Sequence, residues 1–592
     1  MVLASMPSTL LRDKALDRLR HDIPARWAGA TEITPQELRA RFPKRLKLVA
    51  GWRLPGAIQE PPHDLLVLFD ERTPWTLPLV ALPNATGGVS YPHLEADGHL
   101  CLIPSGTAFE LPVGLQHVEQ LVADADAVMV AGRTGANDDD FYSEAHSYWT
   151  LVEPSRSEIW LTAPAPNAHS LWFASRHGED WVVGPARDAV SAWLRHSGRP
   201  VGAAEPCVVI RVDAPLHPRD YPLSAADLLT FARDTEAGEL VSTALKKWSV
   251  KQALPVLIVY PHGGKDVLLG GLLAPPGSIR MPGAKHIGVP GFRHVPSRNG
   301  GARGAALAAA GGRFAHVRVV PVYRDFLVGR TAGQVPASLR DAHVVVAGCG
   351  AIGGQLAVQL AQSGVGKLTL VDDDVFTWQN VGRHVLDGRS VGKWKASELA
   401  AVIRSSFPDI SVEALVARWD GLNQDQWKKV DSADLWVSAT GDAPSNQHLD
   451  ELVASGEVPA TVFCWLEPFA VAGHAVLHLS GGSRLRGLTD GTGRMLEPVS
   501  DLFSAPQPPQ EPSCGAFYQP YSSLASLSTV AVTGELVLDA LAGKATVSAH
   551  RVWVGSAESF GANGLQVHPA WHARLSNFGY NRRYDLPVPP LP

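Results

Sequence analysis

Residues Asp341 to Lys395 read DAHVVVAGCGAIGGQLAVQLAQSGVGKLTLVDDDVFTWQNVGRHVLDGRSVGKWK. A short apolar run, His343 to Ala347, leads at once into Gly348-Cys349-Gly350-Ala351-Ile352-Gly353, after which Ile352, Leu356 and Leu360 recur on one helical face. The pattern predicts strand, glycine turn and helix. A second strand, Lys367 to Val371, ends in Asp372 and Asp374, about 20 residues past the last glycine, where a nucleotide-binding fold keeps its ribose ligand. Gly348, Gly350 and Gly353 let the backbone approach a phosphate, and the helix N-terminus offers N–H groups to hold it.

Alone, this signature fits a dehydrogenase, a methyltransferase-like fold or an adenylate-forming enzyme. The following residues narrow it. Asn380, Arg383 and Lys395, the last closing a Gly392-x-x-Lys395 turn at the head of another helix, form more phosphate ligands than a nicotinamide enzyme needs. A triphosphate needs them, because attack at its α-phosphorus builds charge along the leaving pyrophosphate. At these residues the chain resembles the adenylation domain of ubiquitin-activating enzymes and their ThiF/MoeB-type bacterial relatives. The resemblance implies ATP and Mg2+ as cofactors, Asp372 and Asp374 at the ribose, Asn380 and Arg383 at the phosphates, and Lys395 at the transition state. It further implies that Arg330 reaches a partner's nucleotide in a homodimer. Asp442, in Thr440-Gly441-Asp442, stands for the family's magnesium aspartate, displaced by one residue from the usual Thr-Asp.

Upstream, residues 8 to 45 read as helical, with strand-like runs at Leu65 to Phe69 and Leu79 to Leu82. Tyr91-Pro92-His93 then precedes the turn Asp97-Gly98 and an exposed Cys101-Leu102. This stretch resembles the active site of ubiquitin-conjugating enzymes, where a His-Pro-Asn triplet lies before Asp-Gly-x-x-Cys-Leu. By that resemblance Cys101 is the nucleophile, and His93 is the donor in the place of the family's asparagine. Helical stripes at Leu115 to Met129 and Asp140 to Trp149 mark the end of this module near residue 150. Residues 151–320 carry little chemistry. Strand-like runs at Glu158 to Thr162, Ser170 to Ala174, Cys207 to Val212 and Pro255 to Tyr260, with a helical segment from Ala225 to Lys247, suggest a structural spacer, and the glycine and alanine stretch 300–312 a linker.

Downstream, His474 reads as a packed histidine, and Cys207, Cys349 and Cys464 as core. Cys514 follows Pro506, Pro508, Pro509 and Pro512 on an irregular segment leading to a helix that begins near Leu524. A thiol near a helix N-terminus ionises more easily. Ubiquitin-activating enzymes carry their thioester cysteine at this place, which implies the same role for Cys514.

The expected architecture is α/β: an N-terminal α+β ubiquitin-conjugating-like domain (1–150), a mixed α/β spacer (151–320) and a C-terminal Rossmann-like ThiF/MoeB-type adenylation domain (321–592). A length of 592 residues is consistent with roughly three or four domains. A net charge of −6 gives no reason to expect nucleic-acid or membrane binding, and no apolar run looks long enough to span a bilayer. Five widely spaced cysteines suggest a reducing cytoplasm. The order of modules resembles bacterial fused activating and conjugating enzymes of CBASS antiviral operons. That resemblance implies adenylation of a protein's C-terminal carboxylate, a thioester on Cys514, transfer to Cys101 and delivery to an acceptor lysine. The donor would be a cGAS-like nucleotidyltransferase or, alternatively, a bacterial ubiquitin-like modifier. A sulfur-carrier adenylyltransferase is a further alternative, which would have no use for Cys101.

Overall fold

The strand-like run at Leu65 to Phe69 lies within β3 (His63–Asp70), which pairs with β2 (Leu48–Ile58) in a computed structural model of the chain. The structure describes residues 8–589 apart from 44, 46, 60–61, 84–90, 96, 104–106, 153, 249–251, 275–310, 333–336, 491–492 and 502–519. Two compact units emerge, residues 1–190 with 202–320, and residues 191–201 with 321–592.

In the first unit, β1 (Thr31–Glu32), β2, β3, β4 (Leu79–Ala81) and β5 (His99–Leu100) form one antiparallel sheet in that order. The stretch expected to be one helix is broken into α1 (Ser8–Arg26) and α2 (Pro35–Arg41), because Thr34 caps the second: its hydroxyl accepts from the Glu37 N–H, and Glu37 accepts from the Thr34 N–H. α3 (Leu115–Thr134) buries Val118, Val122, Ala125 and Met129 of the expected stripe, together with Leu121, in the core that holds Ile23, Leu54 and Phe69, while Leu115 at its start is partly buried.

The segment expected at Asp140 to Trp149 forms two short helices, α4 (Asp138–Ser143) and α5 (Ala145–Val152). Phe141, Tyr148 and Trp149 pack with Val208, Ile258 and Phe314, so these helices belong to the core of the following domain rather than to that of α3. That domain is a closed barrel of β6 (Pro154–Leu161), β7 (Ser170–His177), β8 (Asp180–Gly184), β9 (Ala204–Arg211), β10 (Leu254–His262), β11 (Lys265–Ala274) and β12 (Arg313–Pro321). Its order is β10-β11-β12-β6-β8-β7-β9, closed by the parallel pair β10 and β9. Gly271 makes room for it: a Cβ there would stand 2.0 Å from the Phe314 ring. The single helix expected over 225–247 is split into α6 (Ala225–Asp234) and α7 (Gly238–Lys247), with Glu236 at φ +62 between them.

The second unit is organised by β13 (His343–Ala347), β14 (Lys367–Val371), β15 (Ser411–Leu415), β16 (Leu435–Ser438), β17 (Thr461–Leu466), β18 (Ala472–His478), β19 (Ala549–Val554) and β20 (Arg582–Pro587). The sheet order is β15-β14-β13-β16-β17-β18-β19-β20. The first five strands run parallel and the last three antiparallel. Chain order reverses between β13 and β16, and in such sheets ligands bind beyond the strand ends at this crevice. α8 (Ala351–Gln362), α9 (Lys395–Ser406), α10 (Ala443–Ser455) and α11 (Ser523–Leu541) cover the sheet.

α11 corrects one expectation. It is long and apolar enough to cross a membrane by composition, with a mean hydropathy of 1.5. Here it is the core helix of the sheet: Val530, Val532, Leu536 and Val537 pack with Leu356, Val462 and Ala475. It also buries Ser526, Thr529 and Thr533, and Thr533 donates its hydroxyl to the Thr529 carbonyl at 2.7 Å.

Candidate active sites

The glycine turn brings the second unit's site together. Gly348 has φ +88, a conformation only glycine adopts freely, and its N–H donates to the Val371 carbonyl at the end of the neighbouring strand. Gly350 caps α8, and a Cβ on Gly353 would stand 1.9 Å from the Gly348 oxygen. Asp372 ties this turn to the next strand: one carboxylate oxygen accepts from the Cys349 N–H at 2.6 Å, the other from the Asp374 N–H at 2.8 Å. Burial pushes the Asp372 carboxyl above its ordinary range, against those hydrogen bonds and nearby Lys395. His384 supports the turn from below. Its Nδ1 accepts from the Leu386 N–H, so its Nε2–H donates to the Cys349 carbonyl at 2.7 Å.

Beyond the strand ends lies a cavity of about 510 Å³, within the range usual for small-molecule sites. Gly350, Asn380, Arg383 and Lys395 all line it, with Thr440, Asn446 and Gln447. Lys395 is the most enclosed cation, its side chain 8% exposed, and its Nζ meets Asp374 Oδ2 at 2.5 Å. Asn380 uses its Oδ1 to accept from the Thr377 N–H and hydroxyl, leaving its NH2 for a ligand. Asn446 likewise accepts the Ser438 and Thr440 hydroxyls on Oδ1. Arg383 donates to the Gln379 carbonyl and stands 5.7 Å from the Tyr521 ring centre. The arrangement offers two cations, side-chain amides and the N-terminus of a 12-residue helix, a set of groups that binds phosphates.

Asp442 is placed differently from its neighbours. It caps α10, does not line the cavity, and lies 3.6 Å from Arg418; Gly441, at φ +67, takes the position on the cavity wall. Among the described residues no three His, Cys, Asp or Glu side chains gather as a metal site. The carboxylate that lines the cavity, Glu467, is engaged by four donors, Asp372 by two and Asp374 by Lys395. Glu467, Asp372 and Asp374 are thus taken up by protein donors; a magnesium ion carried mainly by the nucleotide's phosphates would need one further carboxylate, and Asp442, between the cavity-lining Gly441 and Ala443, would supply it. Arg330 lies in the helix Arg324–Ala332, with its side chain outside the described residues, as is Cys514. The chain on either side of Cys514 is described, and both flanks, Pro498 and Tyr521, line the cavity.

Glu467 and Tyr521 were not singled out from sequence. The Trp465-Leu466-Glu467-Pro468 run held a signal for the first, a carboxylate and a proline ending an apolar strand, but nothing local showed what it would bind.

In the first unit, Cys101 is exposed at the mouth of the Leu94 to Leu100 bridge, and its N–H donates to the His93 carbonyl at 2.8 Å. His93 has φ +63, a conformation in which His and Asn are the better tolerated side chains. Its N–H donates to the Tyr148 hydroxyl at 2.7 Å, and that hydroxyl donates to Glu144. The ring faces Asp140 at 3.1 Å and Glu144 at 3.6 Å. Asp97 holds the turn, accepting from the His99 N–H and from Arg45. The Cys101 thiol is pushed up by burial, then by Glu144 and Glu95, so at neutral pH it stands protonated. Tyr148, Asp140 and Glu144 come from the helical segment expected at the end of the conjugating module, here packed on the barrel, and that segment completes this site. Cys207, Cys349 and Cys464 are buried, as expected of core thiols.

Two domain families match the chain. Residues 327–494 match the ThiF family, and residues 25–157 match prokaryotic E2 family B. The SAMP-activating enzyme E1 of Haloferax volcanii is 33% identical over 137 residues, 23% of this chain and 50% of that protein. The ATP-dependent ubiquitin transferase-like protein Cap2 of Pseudomonas aeruginosa is 25% identical over 528 residues, 83% of this chain and 88% of that protein. This chain thus spans half of the Haloferax enzyme, whereas its likeness to the Pseudomonas protein takes in both matched domains. A crystal structure of Escherichia coli MccB with selenomethionine MccA matches at 16% identity with a TM-score of 0.31, covering 43% of this chain and 66% of that one.

Proposed function

From a chain that carries both a ThiF domain and a prokaryotic E2 domain, we propose an ATP-dependent transferase that activates a protein's C-terminal carboxylate and passes the acyl group over two thiols to an amine. One observation carries the reading: the N-terminus of α8, Asn380, Arg383 and Lys395 share a single cavity with Pro498 and Tyr521, between which the chain bears Cys514. The span from Cys514 to Tyr521 is at most about 25 Å when extended, so the covalent chain keeps that thiol within reach of the cavity.

The chemistry follows from the groups present. A carboxylate is inert to thiols and amines. Its attack on the α-phosphorus of ATP forms a C–O–P bond, breaks the bond to the leaving pyrophosphate and yields an acyl adenylate; Lys395 and Arg383 neutralise the charge that builds on the phosphates. The Cys514 sulfur then attacks the acyl carbon, AMP departs, and the thiol proton is lost to solvent. The thioester exchanges onto Cys101 and is discharged to a lysine amine. His93 stands beside Cys101 as the donor to the oxyanion, in the place the conjugating family gives to asparagine. Asp372 and Asp374 are the ribose ligands of this reading, with Asp372 oriented by the two backbone N–H groups it accepts from.

By resemblance to fused enzymes of CBASS operons, the acyl donor is a cGAS-like nucleotidyltransferase. The name of the Pseudomonas relative, ATP-dependent ubiquitin transferase-like protein, supports the transferase chemistry. A homodimer through the adenylation domain belongs to the same reading. The test is co-expression with the products of the neighbouring genes, followed by non-reducing gels of wild type, Cys101→Ala and Cys514→Ala. Reductant-sensitive adducts lost one site at a time support the relay. Their absence with every neighbouring product sinks it.

A further inference from the structure

Glu467 is a buried carboxylate, 5% exposed, on the wall of the nucleotide cavity. Its Oε1 accepts from the Val499 N–H at 2.6 Å and from His474 Nε2 at 2.8 Å; its Oε2 accepts from the Ser500 N–H at 2.7 Å and the Ser500 hydroxyl at 2.6 Å. Burial alone would push this carboxyl up, but the donors from His474, Ser500 and Val499 hold it below its ordinary range, so it is ionised. Every lone pair is used. A carboxylate with four donors is a poor base and a strong anchor.

The network behind it is satisfied as well. Behind its contact with Glu467, His474 Nδ1 meets His550 Nε2 at 3.0 Å. His474 is fully buried and stacks on Trp465, its centroid 5.0 Å away. The turn joining Glu467 to β18 runs through Phe469 and Ala470 at φ +57 and +54, two successive non-glycine residues in the left-handed region. Backbone strain of this kind persists where surrounding contacts over-determine the geometry and collects at functional sites.

What the anchor holds is the chain that leaves the cavity. Pro498 lines it, Val499 and Ser500 are bound to Glu467, and Asp501 donates its N–H to the Gln566 carbonyl while His568 donates to the Val499 carbonyl. The chain therefore departs towards Cys514 from a point clamped on two sides. We propose that Glu467, backed by His474, is a positioning residue for acyl transfer out of the cavity: it fixes the 498–500 segment from which the thiol-bearing chain departs and takes no part in nucleotide chemistry. The proposal rests on the reading of Cys514 as the acceptor thiol.

The test uses the full chain co-expressed with the neighbouring gene products, comparing wild type, Glu467→Gln and Ser500→Ala by ATP–pyrophosphate exchange and by reductant-sensitive adduct. We expect Glu467→Gln to keep exchange within about threefold and to lose adduct at least tenfold, with Ser500→Ala showing the same split in milder form. A parallel fall of both half-reactions, or no change in either, overturns it. If wild type shows neither exchange nor adduct, the functional reading fails, and a second measurement still decides the anchor: iodoacetamide labelling of Cys514 with ATP alone, read by peptide mass spectrometry. A rise of about threefold or more in both variants supports the positioning role, and unchanged rates overturn it.

Discussion

Lys395 Nζ stands 2.5 Å from Asp374 Oδ2, pairing an ammonium almost withdrawn from solvent with a carboxylate that stays 69% exposed. The asymmetry matters. The exposed carboxylate gives the enclosed ammonium an ion-pair partner at the cavity wall. A triphosphate arriving there meets a preformed cation.

Lys395→Met removes that cation and leaves Asp374 in water. We expect ATP–pyrophosphate exchange to fall about 10²-fold or more, the scale of losing one preorganised charge, with the thermal midpoint changed by only a few degrees. Exchange within about threefold of wild type would remove Lys395 from the reaction.

Gly353→Ala puts a Cβ 1.9 Å from the Gly348 oxygen, so the turn has to open. The expected cost is about 1–3 kcal/mol, together with loss of ATP-dependent stabilisation in a thermal melt. Gly350→Ala is the control for the fold alone, because a Cβ there meets no protein atom within 4 Å.

At Cys101 the charge argument has a direction. Glu144 is among the causes that raise the thiol, so Glu144→Gln lowers its pKa and moves the iodoacetamide rate profile of Cys101 to lower pH. A profile shifted upwards, or not at all, contradicts the electrostatic account.

His93 occupies a left-handed position. Asn is expected to fit there and to preserve conjugation, whereas Val costs about 1–2 kcal/mol in backbone strain alone. His93→Ala, which keeps the fold but loses the donor, should retain the Cys101 thioester and discharge it slowly to lysine in a single-turnover assay.

Glu467 makes stability depend on pH. Its folded pKa lies below the unfolded value of 4.5, so its contribution is present above that value and is lost as pH falls through the folded pKa. The stability gap between wild type and Glu467→Gln, read by chemical denaturation, should be largest near neutral pH and shrink as the solution is taken below about 4.5.

Much of this was local and therefore legible in sequence. Gly348, Gly350 and Gly353 with Asp372 announce a strand, a turn and a helix because their spacing is fixed by the geometry of a few residues, and Asn380, Arg383 and Lys395 follow within the same contiguous stretch. Cys101 was legible for the same reason, lying with His93 on one short hairpin. What only the tertiary structure decided was long-range. Asp442 and Gly441 differ by one residue, yet the turn sends one to a helix cap and the other to the cavity. Tyr148 reaches His93 from a helix whose burial is set by the barrel, and barrel closure depends on pairings between strands far apart in the chain. Glu467 becomes an anchor only when Val499 and Ser500, more than thirty residues on, are folded against it. A sequence fixes which groups are close along the chain; packing decides which distant groups satisfy one another.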